Sequence, residues 1–314
     1  MTRDGRFLIV VPFFCKLKAN FTWLFDHTTS RHERAIVSVT VGHIRIGDGA
    51  PLVLIAGPCV VENREMTLST AQRILRVTKR CGIPLIFKSS YKKANRTSAQ
   101  SFSTIGIDEA LAILSEVKEE FGVPILTDIH TVEEAEKAAD VADVLQIPAF
   151  LSRQTDLLQA AGRTGKAINI KKGQFMAPDD MRLAADKVVL TGNKRVLLTE
   201  RGTTFGYHNL VVDMRSLAIM RRTGFPVVLD VTHSVQLPGG EATRSGGQPE
   251  FIFPIARAGV AVGCDALFVE THPDPPSALS DAASQLKLDL LEDLIKQVMA
   301  IDAVVKKTPK KKRS

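Results

Sequence analysis

Hydrophobic residues along the chain gather into eight short runs, and each run closes on a polar or charged residue. The runs are rich in Val, Ile and Leu without the alternation of a half-exposed strand, which is typical of parallel strands buried on both faces. Helix-length segments such as residues 65–80 and 106–122 separate them. The runs close at Cys59, Lys88 with Ser90, Asp128, Gln146, Lys171, Arg201, His233 and Glu270.

Eight such units in roughly 250 residues predict a (β/α)8 TIM barrel. A further pair of apolar segments, residues 37–47 split by Gly42, predicts a short β-hairpin that caps the bottom of the barrel. Active sites of such barrels lie at the C-terminal ends of the strands. We therefore expect the polar run ends to meet at one mouth, and we predict an enzyme.

The charge of the chain divides it into three segments. We expect residues 1–35 to be an extension that is disordered or not native, residues 36–305 to form the catalytic barrel, and residues 306–314 to be a basic disordered tail. The two end segments hold 12 of the 41 basic residues and 3 of the 34 acidic ones, so the body is nearly neutral. No aromatic platform accompanies the basic tail, so no nucleic-acid partner is expected.

Membrane and redox signals point to the cytoplasm. No apolar stretch reaches the roughly 20 residues needed to span a bilayer, so no membrane partner is expected. The four cysteines show neither CxxC spacing nor a disulfide framework, which suits a reducing compartment.

Barrel closure places the first, seventh and eighth strands side by side, which predicts a metal site. Cys59, His233 and Glu270 end these strands, and Asp281 is expected to open the last helix eleven residues after Glu270. One thiolate, one imidazole and two carboxylates suit a divalent transition metal, and zinc, iron(II) and manganese(II) all remain open. Taken singly, Cys59 could be a small buried hydrophobe, His233 a structural histidine and Asp281 an N-cap.

A second group of run ends carries positive charge. The segment FKSSYKKANRTS (87–98) holds four cations, and Lys171 and Arg201 end the fifth and sixth runs. A solvated loop could carry lysines without function, but a cation ending a buried strand needs an anionic partner or ligand. Phosphate and carboxylate groups are the natural occupants. Asp128 could accept hydrogen bonds from a sugar hydroxyl, and the Gly-rich segment 239–247 could cover the mouth or be a plain solvent loop.

These motifs, in order over residues 37–304, resemble the 3-deoxy-D-manno-octulosonate 8-phosphate (Kdo 8-phosphate) synthase family. That resemblance implies a TIM-barrel transferase, assembled as a homotetramer. It condenses phosphoenolpyruvate with D-arabinose 5-phosphate and water, releasing inorganic phosphate, in lipopolysaccharide biosynthesis. The matching segments are IAGPCVVE (55–62), FKSSYKKANRTS (87–98), TDIH (127–130), QIPAFLSRQTDLL (146–158), INIKKGQF (168–175), ERGTTFGYHNLVVDM (200–214), DVTHSVQLPGG (230–240) and FVETHPDPPSALSDAASQL (268–286).

The resemblance also implies site residues, position by position. Those for phosphoenolpyruvate are Lys88, Ser90, Lys93, Gln146, Ala149, Lys171 and Arg201. Those for arabinose 5-phosphate are Asn95, Arg96, Thr97, Asp128 and Gln236. The metal ligands are Cys59, His233, Glu270 and Asp281, and the catalytic residues are Lys93, Asp128, His233 and Asp281.

Two positions of the chain can be compared with the residues that members of this family carry there. Cys59 stands in the AGPC segment, where metal-independent members carry asparagine, so the resemblance implies the metal-dependent type. Pro249 stands where relatives usually carry arginine, so the resemblance does not extend to the details of the loop that could cover the mouth. The alternative is 3-deoxy-D-arabino-heptulosonate 7-phosphate synthase, which uses erythrose 4-phosphate; its loop reads KPRTS, whereas this chain has Asn95 in KANRTS. A barrel kept only as a scaffold would have lost the metal or cation set.

Overall fold

Eight parallel strands close into a barrel in the computed structural model, which describes residues 37–94, 101–241 and 244–307. Each strand pairs with the next along the chain, and the eighth pairs with both the seventh and the first. The (β/α)8 barrel predicted from the sequence is confirmed. The strands are β1 Val53–Gly57, β2 Leu85–Lys88, β3 Ile125–Asp128, β4 Val144–Ile147, β5 Ala167–Lys171, β6 Val196–Glu200, β7 Val227–Asp230 and β8 Ala266–His272.

An α-helix follows each barrel strand, and together these helices surround the barrel. The first begins where the side chain of Asn63 accepts a hydrogen bond from the Met66 N–H at 2.9 Å, and ends at Gly82, whose φ of 72° suits a residue without Cβ. Among the helices that the structure describes, none has the length and apolarity needed to cross a membrane. The helices are α1 Arg64–Cys81, α2 Ile107–Phe121, α3 Val132–Ala139, α4 Thr155–Arg163, α5 Met181–Val189, α6 Arg215–Arg221, α7 Ile252–Val262 and α8 Leu291–Lys307.

The predicted hairpin closes the N-terminal end of the barrel. Strands Val39–Val41 and Ile44–Ile46 pair antiparallel, and their buried side chains form one apolar cluster with the first residues of barrel strands, such as Val53, Val144 and Ala167. That end is therefore a packed core, and the polar residues are left to the other end of the barrel.

The two terminal segments lie mostly outside the described residues. Helix α8 continues through Lys306 and Lys307, the first two positions of the expected tail, and the Lys306 ammonium donates to the Ala50 carbonyl at 2.6 Å. Residues 1–36 and 308–314 lie outside the described ranges, so the expected disorder of both ends stays a prediction.

Short extra strands surround the mouth. A hairpin of Thr203–Thr204 and Leu210–Val211 follows β6, and a hairpin of Gln236–Glu241 and Arg244–Gly247 follows β7. The described residues of the Gly-rich segment thus belong to an antiparallel pair, and Pro249 begins the short 3-10 helix that follows it.

Asp281 does not open the last helix, so that expectation was wrong. Helix α8 begins at Leu291, and Asp281 lies in a loop with a φ of 49°. The reason is an added strand, Leu286–Lys287, which pairs parallel with the end of β8. The chain therefore passes the mouth once more before the helix starts.

Candidate active site

The close approach of β1 and β2 begins the site. A Cβ atom added at Gly57 would lie 1.9 Å from the Lys88 carbonyl oxygen, so only glycine fits between these strands. The approach brings the Lys88 ammonium within 3.1 Å of the Cys59 carbonyl oxygen and 2.6 Å of Glu270 Oε1. Lys88 is buried, and its charge is matched by the Glu270 carboxylate.

The four expected metal ligands meet at the mouth. Sγ of Cys59 lies 3.1 Å from Oδ2 of Asp281, and the ligand atoms of Cys59, Glu270 and Asp281 all lie within 4.8 Å of one another. Nε2 of His233 lies 3.6 Å from Glu270 Oε1 and 3.9 Å from Asp281 Oδ2. Cys59, Glu270 and Asp281 thus face one position, and the imidazole of His233 lies beside their two carboxylates.

Hydrogen bonding around this cluster fits a bound cation. His233 Nδ1 lies 2.7 Å from Asp230 Oδ2, so a proton on Nδ1 leaves the Nε2 lone pair facing Glu270 and Asp281. In histidines that bind a metal, the N–H of the other ring nitrogen usually donates a hydrogen bond to such a carboxylate. Oε2 of Glu270 is buried without a hydrogen-bond partner among the residues that the structure describes. The donor set therefore fits a divalent transition metal.

Gln285 joins the two halves of the cluster, and the sequence analysis missed it. Its Oε1 accepts the Cys59 backbone N–H at 3.3 Å, and its Nε2 donates to the Ser280 carbonyl at 2.8 Å. The side chain is buried. One amide thus holds the backbone beside Cys59 and the backbone beside Asp281.

The protonation states of the cluster follow from burial and charge. Burial, followed by the charges of Asp281 and Glu270, raises the pKa of the Cys59 thiol well above its usual range. Burial acts to raise the pKa of Glu270, but His233, Lys88 and Lys93 outweigh it and hold that pKa well below the ordinary value. A thiol in such surroundings ionises when a metal ion binds to it.

Arg201 and Lys171 are two buried cations of the mouth that the sequence predicted to bind an anion. The Lys171 ammonium lies 2.8 Å from Asp230 Oδ2 and 4.1 Å above the centroid of the Phe268 ring. Arg201 Nη2 donates to Gln236 Oε1 at 2.9 Å, but its Nε and Nη1 are buried with no partner in the described part of the chain. A buried guanidinium with unpaired N–H groups indicates an anionic ligand.

The side chains of Glu200 and Lys172 hold the chain around Arg201, and the sequence analysis missed both residues. Glu200 Oε1 accepts the N–H groups of Arg201 at 2.9 Å and Gly202 at 2.6 Å. Lys172 Nζ lies 3.4 Å from the same oxygen and donates to Thr203 Oγ1 at 2.9 Å. The sequence contained a signal for both residues, because each is a charged residue at the end of a buried strand. Lys172 follows Lys171, and Glu200 precedes Arg201.

Asp128 lies at the centre of the mouth as an ionised acceptor. Ser90 and Gln146 each donate a hydrogen bond to one of its carboxylate oxygens. Burial acts to raise the pKa of Asp128, but Lys93, then Lys88, outweigh it and lower the pKa below its usual range. The side chains of Ser90 and Gln146, which the resemblance assigns to phosphoenolpyruvate, therefore also hold Asp128.

The remaining predicted residues lie around this centre. Ala149 is buried at the start of a 3-10 turn after β4, and Lys93 Nζ lies 3.8 Å from Glu270 Oε1 and 3.7 Å from Asp281 Oδ2. The predicted sugar-loop residues Asn95, Arg96 and Thr97 lie outside the described residues.

A second carboxylate outside the predicted set, Glu134, ties two loops of the mouth together. Its Oε2 accepts the Tyr91 hydroxyl and the His130 N–H, both at 2.7 Å. Lys92 Nζ lies 3.2 Å from its Oε1. The loop after β2 is therefore anchored to the loop after β3.

Comparison with known proteins gives one consistent result. The family model described as "DAHP synthetase I family" matches residues 28–307. A protein of Citrifermentans bemidjiense is 57% identical over 267 residues, covering 85% of this chain and 98% of that protein. Proteins of Geobacter sulfurreducens (55% over 268 residues; 85% and 98%) and Syntrophotalea carbinolica (56% over 269 residues; 86% and 97%) are similar. All three are named 2-dehydro-3-deoxyphosphooctonate aldolase.

Proposed function

The chain belongs to the DAHP synthetase I family, and from this premise we propose that it is a Kdo 8-phosphate synthase. It condenses phosphoenolpyruvate with D-arabinose 5-phosphate and water to give Kdo 8-phosphate and inorganic phosphate. The curated relatives are named for the eight-carbon product, which favours this function over the heptulosonate alternative. The observation that carries the proposal is the buried Arg201 guanidinium, two of whose nitrogens have no partner among the described residues. Such a group suits the phosphate of phosphoenolpyruvate.

Phosphoenolpyruvate is assigned to the cation group. Lys171 and Arg201, with the backbone near Ala149, hold its phosphate, since arginine supplies a fork and lysine a point charge. Its carboxylate faces Lys88 and Lys93, with Ser90 and Gln146 lining the same wall. Arabinose 5-phosphate is assigned to Asp128 and Gln236, with Asn95, Arg96 and Thr97 from the sugar loop. The two substrates together carry two phosphates and one carboxylate, and these anions account for the number of cations at the mouth.

The reaction forms one carbon–carbon bond and one carbon–oxygen bond to water, and it breaks the carbon–oxygen bond to phosphate. C3 of phosphoenolpyruvate attacks the aldehyde carbon of the sugar, water adds at C2, and phosphate leaves from the tetrahedral adduct. Asp128, ionised and held by two donors, accepts hydrogen bonds from sugar hydroxyls and orients the aldehyde. Lys93 Nζ lies 3.8 Å from Glu270 Oε1 and 3.7 Å from Asp281 Oδ2. There its charge also stabilises negative charge developing on the aldehyde oxygen.

A divalent transition metal belongs to the same proposal. Cys59, His233, Glu270 and Asp281 would hold it, and zinc, iron(II) and manganese(II) all suit these ligands. When bound, such an ion supplies Lewis-acid chemistry to a carbonyl oxygen or a water molecule. Assembly as a homotetramer and a cytoplasmic location rest on the resemblance and on the cysteine pattern.

The direct test of this function compares two sugar phosphates. Phosphate release from phosphoenolpyruvate should be much faster with arabinose 5-phosphate than with erythrose 4-phosphate, and mass spectrometry should identify the eight-carbon product. An Arg201→Ala/Asp128→Asn double variant, purified in the same way, controls for a contaminating host enzyme. Equal rates, or faster release with erythrose 4-phosphate, would assign the chain to the heptulosonate reaction.

A further inference from the structure

A chain of side-chain hydrogen bonds crosses four neighbouring strands and ends on Asp128. Thr199 Oγ1 on β6 donates to Asn169 Oδ1 on β5 at 2.6 Å. Asn169 Nδ2 donates to Gln146 Oε1 on β4 at 2.8 Å, and Gln146 Nε2 donates to Asp128 Oδ1 on β3. The interstrand register supports this contact, because Gln146 pairs with Asn169 across the sheet.

The charge of Asp128 fixes the direction of every bond in this chain. An ionised carboxylate only accepts hydrogen bonds, so the amide nitrogen of Gln146 must face it. The Gln146 oxygen then faces Asn169, which must present its own nitrogen. That leaves the Asn169 oxygen to face Thr199, whose hydroxyl donates. Reversing either amide would place two acceptors against each other.

Neither Asn169 nor Thr199 has a simpler structural explanation. Both side chains have 0% exposure, so they do not reach a substrate in the mouth. Their strands are otherwise almost entirely apolar, and burying a polar amide or hydroxyl costs free energy unless it is hydrogen bonded. A leucine or valine at either position would fill the barrel interior without needing a hydrogen-bond partner.

We propose that Asn169 and Thr199 are positioning residues that hold the Gln146 amide, and through it the Asp128 carboxylate, for binding of the sugar phosphate. Ser90 holds the other carboxylate oxygen, so both oxygens are fixed and their remaining lone pairs are left for sugar hydroxyls. The inference rests on the proposed function, because it assigns these residues to the arabinose 5-phosphate half of the site.

The first test removes the donor that starts the chain. Thr199→Val keeps the shape of the side chain and should lower kcat/KM for arabinose 5-phosphate about three- to tenfold, the worth of one hydrogen bond. The KM for phosphoenolpyruvate should change less than that for arabinose 5-phosphate, since the cations that hold phosphoenolpyruvate do not belong to the chain of amides. Thr199→Ser, which keeps the hydroxyl, should restore most of the loss.

The second test removes the amide that links Thr199 to Gln146. Asn169→Leu neither accepts from Thr199 nor donates to Gln146, so the Gln146 amide is no longer held with its nitrogen towards Asp128. The loss in kcat/KM for arabinose 5-phosphate should exceed that of Thr199→Val. Thr127→Val is the matched control, because Thr127 is a buried strand threonine whose hydroxyl donates to the Ser89 carbonyl at 2.8 Å instead.

The outcomes separate this inference from the proposed function. A wild-type protein without arabinose 5-phosphate turnover would overturn both. An active wild type with unaltered sugar kinetics in Asn169→Leu would overturn the inference alone. Losses of kcat/KM that are equal for both substrates, and of the size seen in Thr127→Val, would assign Asn169 and Thr199 a merely structural role. Circular dichroism and thermal unfolding of each variant show that the comparison is made on folded protein.

Discussion

Sγ of Cys59 and Oδ2 of Asp281 lie 3.1 Å apart, although 222 residues separate them in the chain. Two features produce this contact. Barrel closure pairs β1 with β8, and the added strand Leu286–Lys287 returns the chain to the mouth. The ligand set therefore exists only in the closed barrel, and the residues that bridge its halves should influence metal affinity.

Gln285→Leu should weaken metal binding. The variant removes the amide that bridges the Cys59 N–H and the Ser280 carbonyl, and the loss of an outer hydrogen-bond partner typically lowers metal affinity by about 10- to 100-fold. Titration of metal-free protein against a chromophoric chelator measures the affinity directly. Gln297→Leu, on the exposed face of α8, is the control. Unchanged affinity in Gln285→Leu would show that the bridge does not support the ligands.

Arg201→Ala should chiefly raise the KM for phosphoenolpyruvate. Charge-assisted hydrogen bonds are each worth about 1.5–3 kcal/mol, so a rise of roughly tenfold to hundredfold is expected. Arg201→Lys should recover only part of the loss, because an ammonium lacks the guanidinium fork. Steady-state kinetics with each substrate varied measure the effect, with the exposed Arg215→Ala as control. An unchanged KM for phosphoenolpyruvate would remove Arg201 from the phosphate site.

Glu134→Gln should destabilise the protein in a pH-dependent way. Burial acts to raise the pKa of Glu134, but hydrogen bonds from His130 and Tyr91 outweigh it and lower the pKa below the ordinary value of about 4.3. A depressed pKa in the folded state stabilises the fold above the unfolded value, and that stability is lost as the pH falls towards the folded value. The variant should therefore unfold more easily at pH 7, by roughly 1–2 kcal/mol, the difference between charged and neutral acceptors.

Urea unfolding of both proteins across pH measures this gap. The gap should narrow below about pH 4, where the carboxyl of the unfolded wild type takes up a proton while that of the folded protein stays ionised. Glu119→Gln, on the exposed face of α2, should show no comparable gap. A gap that widens as the pH falls below about pH 4 would contradict the assignment.

The barrel and its mouth were predictable from the sequence because both depend on strand order. Each continuous apolar run became one barrel strand, and closure of eight strands made neighbours of the residues ending the first, seventh and eighth. Cys59, His233 and Glu270 meet for this reason. Asp281 joins them by a different route, since its position depends on a short added strand that no apolar run announced.

The hydrogen-bond partners were not predictable in the same way. Asn169, Thr199, Glu200 and Gln285 act through side-chain direction and register across strands, which a single sequence does not specify. A partial signal existed, because Asn169 and Thr199 interrupt otherwise apolar runs and a buried polar residue normally needs a partner. The sequence can therefore indicate that such residues are paired, but their partners follow only from the folded barrel.

We propose that this barrel mouth holds a divalent transition metal that the condensation needs. The decisive measurement is the turnover number with arabinose 5-phosphate as a function of metal bound per subunit, determined anaerobically on metal-stripped and refilled protein. Stripped wild type should be inactive, and turnover should rise in proportion to bound metal. Cys59→Asn should bind metal poorly, and any turnover that it keeps should resist chelators. Full wild-type turnover in protein that holds no metal would contradict the claim and leave Cys59 as a small buried side chain.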